Sequence, residues 1–168
     1  MLHGGVDGCI GILLVSSGLY NHSLVCIAQK GTDTTVRHHD AADSIYVSTI
    51  HAGGLAIKEP RQLGGRGDHT RPDLQLLLDG HQVLVDVTIR DPTCKTNIQH
   101  GSARQQLAAA HKGEAEKKAK YAAMARTQQA EVVPFAVETY GGVGKSARKL
   151  IKRIASVAQD RLQVVSER

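Results

Sequence analysis

The sequence predicts an α/β layer fold in which helices flank a central mixed sheet. Three observations carry that prediction. Two apolar-rich runs flank Asp79-Gly80 in RPDLQLLLDGHQVLVDVTIR, residues 71 to 90, a strong short-range hairpin signal. An Ala-, Lys- and Gln-rich segment from about Ala103 to Gln129 has high helix propensity. The apolar run Val132-Val133-Pro134-Phe135-Ala136-Val137 reads as a strand, and a basic segment of helical pattern follows it. With a helix before the hairpin, the order is helix, hairpin, helix, strand, helix.

Taken in order, the first thirty or so residues, with Gly4-Gly5, Gly8, Gly11 and Gly18, have poor periodicity. The expected division is an irregular segment over 1–35, a domain over 36–160 and a tail over 161–168. From Asp40 to about Leu55 the pattern suits a helix, with Asp40 or Asp43 as cap and Ala41, Ile45, Thr49 and Ala52 or Gly53 along one side. Gly53-Gly54 marks its end, and a loop of Gly64-Gly65-Arg66-Gly67-Asp68 precedes the hairpin. The last helix is expected from about Ser146.

A chain of 168 residues fits one domain with a single core. One Phe, four Tyr and no Trp require that core to be aliphatic. The net charge of +5 hints at an anionic partner. Cys9, Cys26 and Cys94 are odd in number and widely spaced, which argues against a disulfide framework and fits a reducing, intracellular compartment. The apolar run 9–16 is too short to span a membrane, and Asp7 sits where a signal peptide needs a basic residue. His22 and Cys26, with Cys9 upstream, lack the tight fourfold spacing of a zinc site.

The hairpin carries the chemistry. If Asp79 and Gly80 form the turn, Leu78 faces His81, Leu76 faces Val83 and Leu74 faces Val85, making one apolar face with Val87. The same register sets Asp73 opposite Asp86. Two facing carboxylates repel each other and weaken the pairing unless something compensates. A divalent cation such as Mg²⁺, which takes one or two carboxylates and engages phosphates, is one solution. Exposure of both aspartates at strand ends, or a different register, is the other.

Arg71-Pro72-Asp73, then twelve residues, then Asp86-Val87-Thr88 resembles the PD-(D/E)xK nuclease motif. It is closer to the restriction-like endonuclease domain of site-specific non-LTR retrotransposons. Thr88 stands where the common motif has lysine. Lys117-Lys118-Ala119-Lys120-Tyr121 is similar to the displaced lysine segment of that group, and Pro134 to Gly141 resembles its following strand. The likeness covers roughly residues 38 to 155.

That resemblance implies a restriction-endonuclease-like three-layer core and a DNA endonuclease dependent on Mg²⁺ or Mn²⁺. Asp73 and Asp86 would be metal ligands, with the backbone carbonyl of Val87 or Thr88 adding another. Glu59, near the end of the first helical region, would match an acid contributed by the first helix in some members; it also reads as a solvated glutamate. Lys120 or Lys117 would stabilise charge at the phosphate, with Lys120 favoured because Tyr121 follows it. A lysine run on an alanine-rich helix reads equally as a solvated face.

The same likeness implies nicking of target DNA beside a reverse transcriptase region of the parent element, and a nuclear site of action in a eukaryote. With no polymerase region, the chain would be a fragment, a domesticated domain or a degenerate copy. Arg71 and the basic positions Lys145, Arg148, Lys149 and Lys152, with Arg153, are the candidate nucleic-acid contacts. His69 is near enough to Asp73 in sequence to meet substrate, whereas His38-His39 and His81 read as surface or loop residues. Gly144-Lys145-Ser146 imitates a phosphate-binding loop, but Thr139 stands where that loop needs its first glycine. The alternatives to a nuclease are a catalytically inactive nucleic-acid-binding module of the same fold and a nucleotide-binding protein.

Overall fold

In the computed structural model, residues 34–61, 63 and 70–166 are described. The irregular N-terminal segment, the His22–Cys26 spacing, the apolar run 9–16 and His69 lie outside them. Helix α1 spans Thr34–His51 and leads through Gly53 into strand β1, Leu55–Lys58. Strands β2 (Leu74–Leu78) and β3 (His81–Arg90) follow, then the short α2 (Lys95–Gln99), α3 (Ala108–Gln128), β4 (Glu131–Glu138) and α4 (Lys145–Ser166). The sheet order is β1-β2-β3-β4. The first two pairings are antiparallel and β3–β4 is parallel, so the sheet is mixed as expected. The parallel pair requires a crossover, which α3 provides.

The hairpin register is the expected one: Leu78 faces His81, Leu76 faces Val83 and Leu74 faces Val85. Asp79 and Gly80 have φ of 50° and 75°, the left-handed conformation that a tight two-residue turn demands. Alternation along β3 then sorts side chains between two layers. Val83, Val85 and Val87 join Leu74, Leu76 and Leu78 in one core with Ala41, Ala42 and Ile45 of α1 and Ala147, Leu150 and Ile154 of α4. Leu84 faces the other way, against Tyr121 and Met124 of α3. The result is three layers: α1 and α4, the sheet, and α3.

Several boundaries differ from the sequence reading, α1 ending at His51 and α3 starting at Ala108 among them. The first helix begins at Thr34, so position 36 is inside α1, and position 160 is inside α4 in the same way. The stripe Ala41, Ile45, Thr49 and Ala52 is buried as anticipated, each at 3% exposure or less. Leu55–Lys58 is a strand that the sequence did not announce, because three of its four residues are exposed and no alternation survives. Pro134 is tolerated within β4 because that strand is at the sheet edge, where a missing N–H leaves no ladder bond unmade.

Candidate active site

Asp73 immediately precedes β2, and its side chain turns toward β3 and α1. Its Oδ2 accepts the Val87 backbone N–H at 2.6 Å and faces His38 Nε2 at 3.0 Å. The reason lies in the neighbouring proline. Continuing the hairpin register two residues beyond Leu74–Val85 sets Pro72 opposite Val87, and Pro72 has no N–H to donate. In a strand, the N–H and C=O of one residue point to the same edge. The Val87 carbonyl is therefore directed at an edge where the ladder supplies no donor.

Asp86 projects from β3 toward α3 and is only 3% exposed. The Tyr121 hydroxyl donates a hydrogen bond to its Oδ1. Lys117 Nζ is 2.6 Å from its Oδ2, yet that oxygen has no hydrogen bond. The contact is a close ion pair between a buried carboxylate and a half-buried ammonium. Tyr121 also lies 2.8 Å from the Arg71 carbonyl, and Lys120 Nζ donates to its oxygen at 3.0 Å. One hydroxyl proton cannot serve both Asp86 and Arg71, so the phenol ties the segment before β2 to β3 as a shared contact.

Of the two candidate lysines, then, Lys117 meets Asp86 directly and Lys120 reaches it only through Tyr121. Glu59 is not a helical acid. It follows β1, with φ of 45°, and its N–H bonds the Asp73 carbonyl at 2.7 Å. Its carboxylate pairs with Arg71 at 3.1 Å, and both side chains are exposed. The helix supplies His38 instead, which corrects its reading as a surface or loop residue. Its pKa is raised, chiefly by the hydrogen bond to Asp73 against the opposing effect of burial, with further attraction from Asp73 and Asp86. A signal existed: His38 is three, four and seven residues before Ala41, Ala42 and Ile45 on the inward stripe.

The observation that bears on a cation here is the donor chemistry of Asp86. Asp86 Oδ2 is a buried carboxylate oxygen without a hydrogen bond, and Mg²⁺ needs no more than one or two carboxylates. Among the described residues no group of three or more His, Cys, Asp or Glu side chains is gathered for a metal.

The glycine turn before α4 has a different occupant. The Ser146 N–H donates to Glu114 Oε1 at 2.7 Å, so an internal buried carboxylate sits at this helix N-terminus. A Cβ on Gly144 would come within 2.4 Å of that oxygen. Glu138, also buried, accepts the Ala110 N–H near the start of α3 at 3.1 Å. The place a nucleotide phosphate would need is filled by Glu114.

On α4, Lys145, Arg148, Lys149 and Lys152 are exposed, with no ion pair among the described residues. Arg153 departs from the set: it bonds the Leu78 carbonyl at 2.9 Å and Glu131 at 3.1 Å, with Asp79 at 3.4 Å. It clamps the hairpin turn and the start of β4. No described helix is long and apolar enough to cross a membrane. A scan of protein-family models finds no match for the chain, and a search of curated proteins finds none either.

Proposed function

We propose that the chain is a metal-dependent endonuclease domain that hydrolyses phosphodiester bonds in DNA, of the PD-(D/E)xK type seen in site-specific non-LTR retrotransposons. The observation that carries this reading is that Asp73 accepts the N–H of Val87, next to Asp86 on β3, whose carboxylate is 2.6 Å from Lys117 Nζ of α3. Asp73, Asp86 and the Val87 carbonyl would hold Mg²⁺ or Mn²⁺. When bound, such an ion lowers the pKa of a water and offsets charge on the phosphodiester.

The chain's own groups divide the remaining work. Tyr121 fixes one oxygen of Asp86 and so leaves the other, buried beside Lys117, for a cation. Lys117 supplies a compact positive charge where negative charge develops on the phosphate. Val87 N–H and His38 hold the Asp73 carboxylate in place. Lys145, Arg148, Lys149 and Lys152 would contact the DNA backbone. In the parent type of element, a reverse transcriptase region would act beside this domain on the same target.

Nicking of supercoiled plasmid in Mg²⁺ is the test, comparing the wild type with Asp86→Asn. The expected result is a loss of two or more orders of magnitude, on the scale of removing one essential electrostatic group. Equal nicking by both proteins sinks the reading. The pre-paired state of both acids favours one alternative, an inactive DNA-binding module of the same fold. A wild type that binds duplex DNA without nicking it in Mg²⁺ or Mn²⁺ establishes that alternative.

A further inference from the structure

Both acids of the site already face a side-chain partner. Asp73 Oδ2 is 3.0 Å from His38 Nε2, and Asp86 Oδ2 is 2.6 Å from Lys117 Nζ. The two oxygens of Asp86 are nonetheless unlike. Oδ1 is fixed by a directed bond from Tyr121, whereas Oδ2 is buried and has no hydrogen bond. The Lys117 ammonium is the side-chain partner of Oδ2, so Oδ2 is the oxygen that another cation would take over.

We propose that Lys117 is the resident counter-ion of Asp86, holding the place of a divalent cation and released when one binds. This rests on the metal-dependent reading above and gives that reading a direction. A doubly charged ion at about 2.1 Å from a carboxylate oxygen and an ammonium on the same oxygen repel each other in a poorly screened interior. Lys117 therefore gives up Oδ2 on metal loading, and its side chain becomes free to meet a substrate phosphate. Metal binding and readiness of the lysine are one event.

The consequence is opposite in sign to that of a lysine that merely supports the site. Removing Lys117 abolishes its service to the phosphate but also removes a competitor for Asp86. The expected result is tighter metal binding in a protein that no longer cleaves. The apparent dissociation constant is the intrinsic one divided by the fraction of molecules already competent, so a site held mostly by its own lysine gains about tenfold in affinity when that lysine is removed.

The experiment is calorimetric titration of Mn²⁺ into the full chain, comparing wild type, Lys117→Gln and Lys118→Gln. Lys118 is exposed on the same helix, so its variant makes the same change in net charge without touching Asp86. The proposal expects Lys117→Gln to bind Mn²⁺ about tenfold more tightly and Lys118→Gln to stay within about twofold of wild type. Equal affinity in all three overturns the proposal and leaves the metal reading standing. No saturable binding in wild type or Lys117→Gln overturns both. Binding that appears only in Lys117→Gln supports the proposal and explains an inactive wild type.

Loss of Lys117 leaves a buried carboxylate without its counter-charge and could unfold the chain. A second measurement therefore uses the wild type alone. Acetylation of lysines, read residue by residue by mass spectrometry, is compared with and without saturating Mg²⁺. Faster labelling of Lys117 in Mg²⁺, with Lys118 unchanged, supports release; unchanged labelling of Lys117 overturns it.

Discussion

Lys117 of α3 stands 2.6 Å from the buried carboxylate of Asp86 on β3, while Lys120 of the same helix is turned to the Tyr121 hydroxyl at 3.0 Å. The two lysines are one step of the i, i+3 pattern apart, so both project from one side of the helix. Only one of them touches the acid. Lys117→Gln is expected to lower the plasmid-nicking rate by about a hundredfold or more, the scale for a group that stabilises charge in the transition state. Lys120→Gln should cost less than about tenfold, because it reaches the acid only through the phenol. The ratio of the two rates decides the assignment; a larger loss in Lys120→Gln reverses it.

Tyr121→Phe removes one hydroxyl from a fully buried ring that otherwise keeps its packing. That hydroxyl is shared between Asp86 and the Arg71 carbonyl, so its loss frees the orientation of Asp86 and the segment before β2. Groups that orient a metal-binding residue typically contribute about 10- to 100-fold in metal affinity or rate. Mn²⁺ affinity and nicking rate are expected to fall in that range. A variant with wild-type affinity and rate would show the hydroxyl to be only a structural tie.

His38 gives the metal-free protein a pH-dependent stability. Its folded pKa is raised above the ordinary 6.5, so the folded state binds the proton more tightly than the unfolded state. The contribution is fully present below about 6.5 and is lost as the pH rises through the higher folded value. The groups acting on it are Asp73, Asp86 and Lys117. In chelator, the melting temperature of wild type should exceed that of His38→Gln most at about pH 5.5, and the gap should narrow as the pH rises above 6.5 through the folded value. A gap that widens with pH contradicts the assigned pairing.

The hairpin was legible because Asp79-Gly80 fixes the turn, and the turn fixes every pairing up to Leu74–Val85. From there the approach of Asp73 to the strand bearing Asp86 follows by counting. His38 carried no signal beyond its spacing to the inward stripe, because the first turn of α1 has no acidic residue and gives no start signal, so the pattern places the helix start at Asp40. Choosing between Lys117 and Lys120 needs the offset of α3 along the sheet. That offset depends on close packing, such as Gly113 against Thr88 and Arg90, that no periodicity encodes. Glu114 and Glu138 were equally hidden, since nothing local marks a glutamate whose partner is a backbone N–H tens of residues away.

Gly144 is expected to be the least tolerant glycine of the turn before α4. An added methyl would meet Glu114 Oε1 at 2.4 Å and the Ala136 carbonyl at 3.1 Å, one of them backbone. Gly144→Ala should destabilise by about 1–3 kcal/mol, the usual cost of overpacking. Glu114→Gln keeps an acceptor for Ser146 but loses the charge at the helix N-terminus, costing about 1 kcal/mol. Urea denaturation measures both, and a Gly144→Ala protein as stable as wild type would contradict the packing of this turn.

The exposed cations of α4 belong to the layer opposite α3, so they should act on DNA affinity and leave the chemical step alone. Lys145, Arg148, Lys149 and Lys152 follow i, i+3, i+4 and i+7, a single stripe about 10 Å long. Their opposite side, Ala147, Leu150 and Ile154, is buried, so neutralising the stripe does not disturb the core. Each cation–phosphate pair removed should flatten the plot of log affinity against log salt by about 0.9. The double variant Lys149→Gln, Lys152→Gln is therefore expected to bind duplex DNA more weakly at low salt, with a slope shallower by about 1.8. Its nicking rate at saturating DNA should match wild type while KM rises. Arg153→Gln is the contrast, because Arg153 bonds the Leu78 carbonyl and Glu131; its loss should lower the melting temperature with little change in salt slope. An unchanged slope in the double variant places the DNA elsewhere on the surface, and a fallen nicking rate at saturation would bring α4 into the chemistry after all.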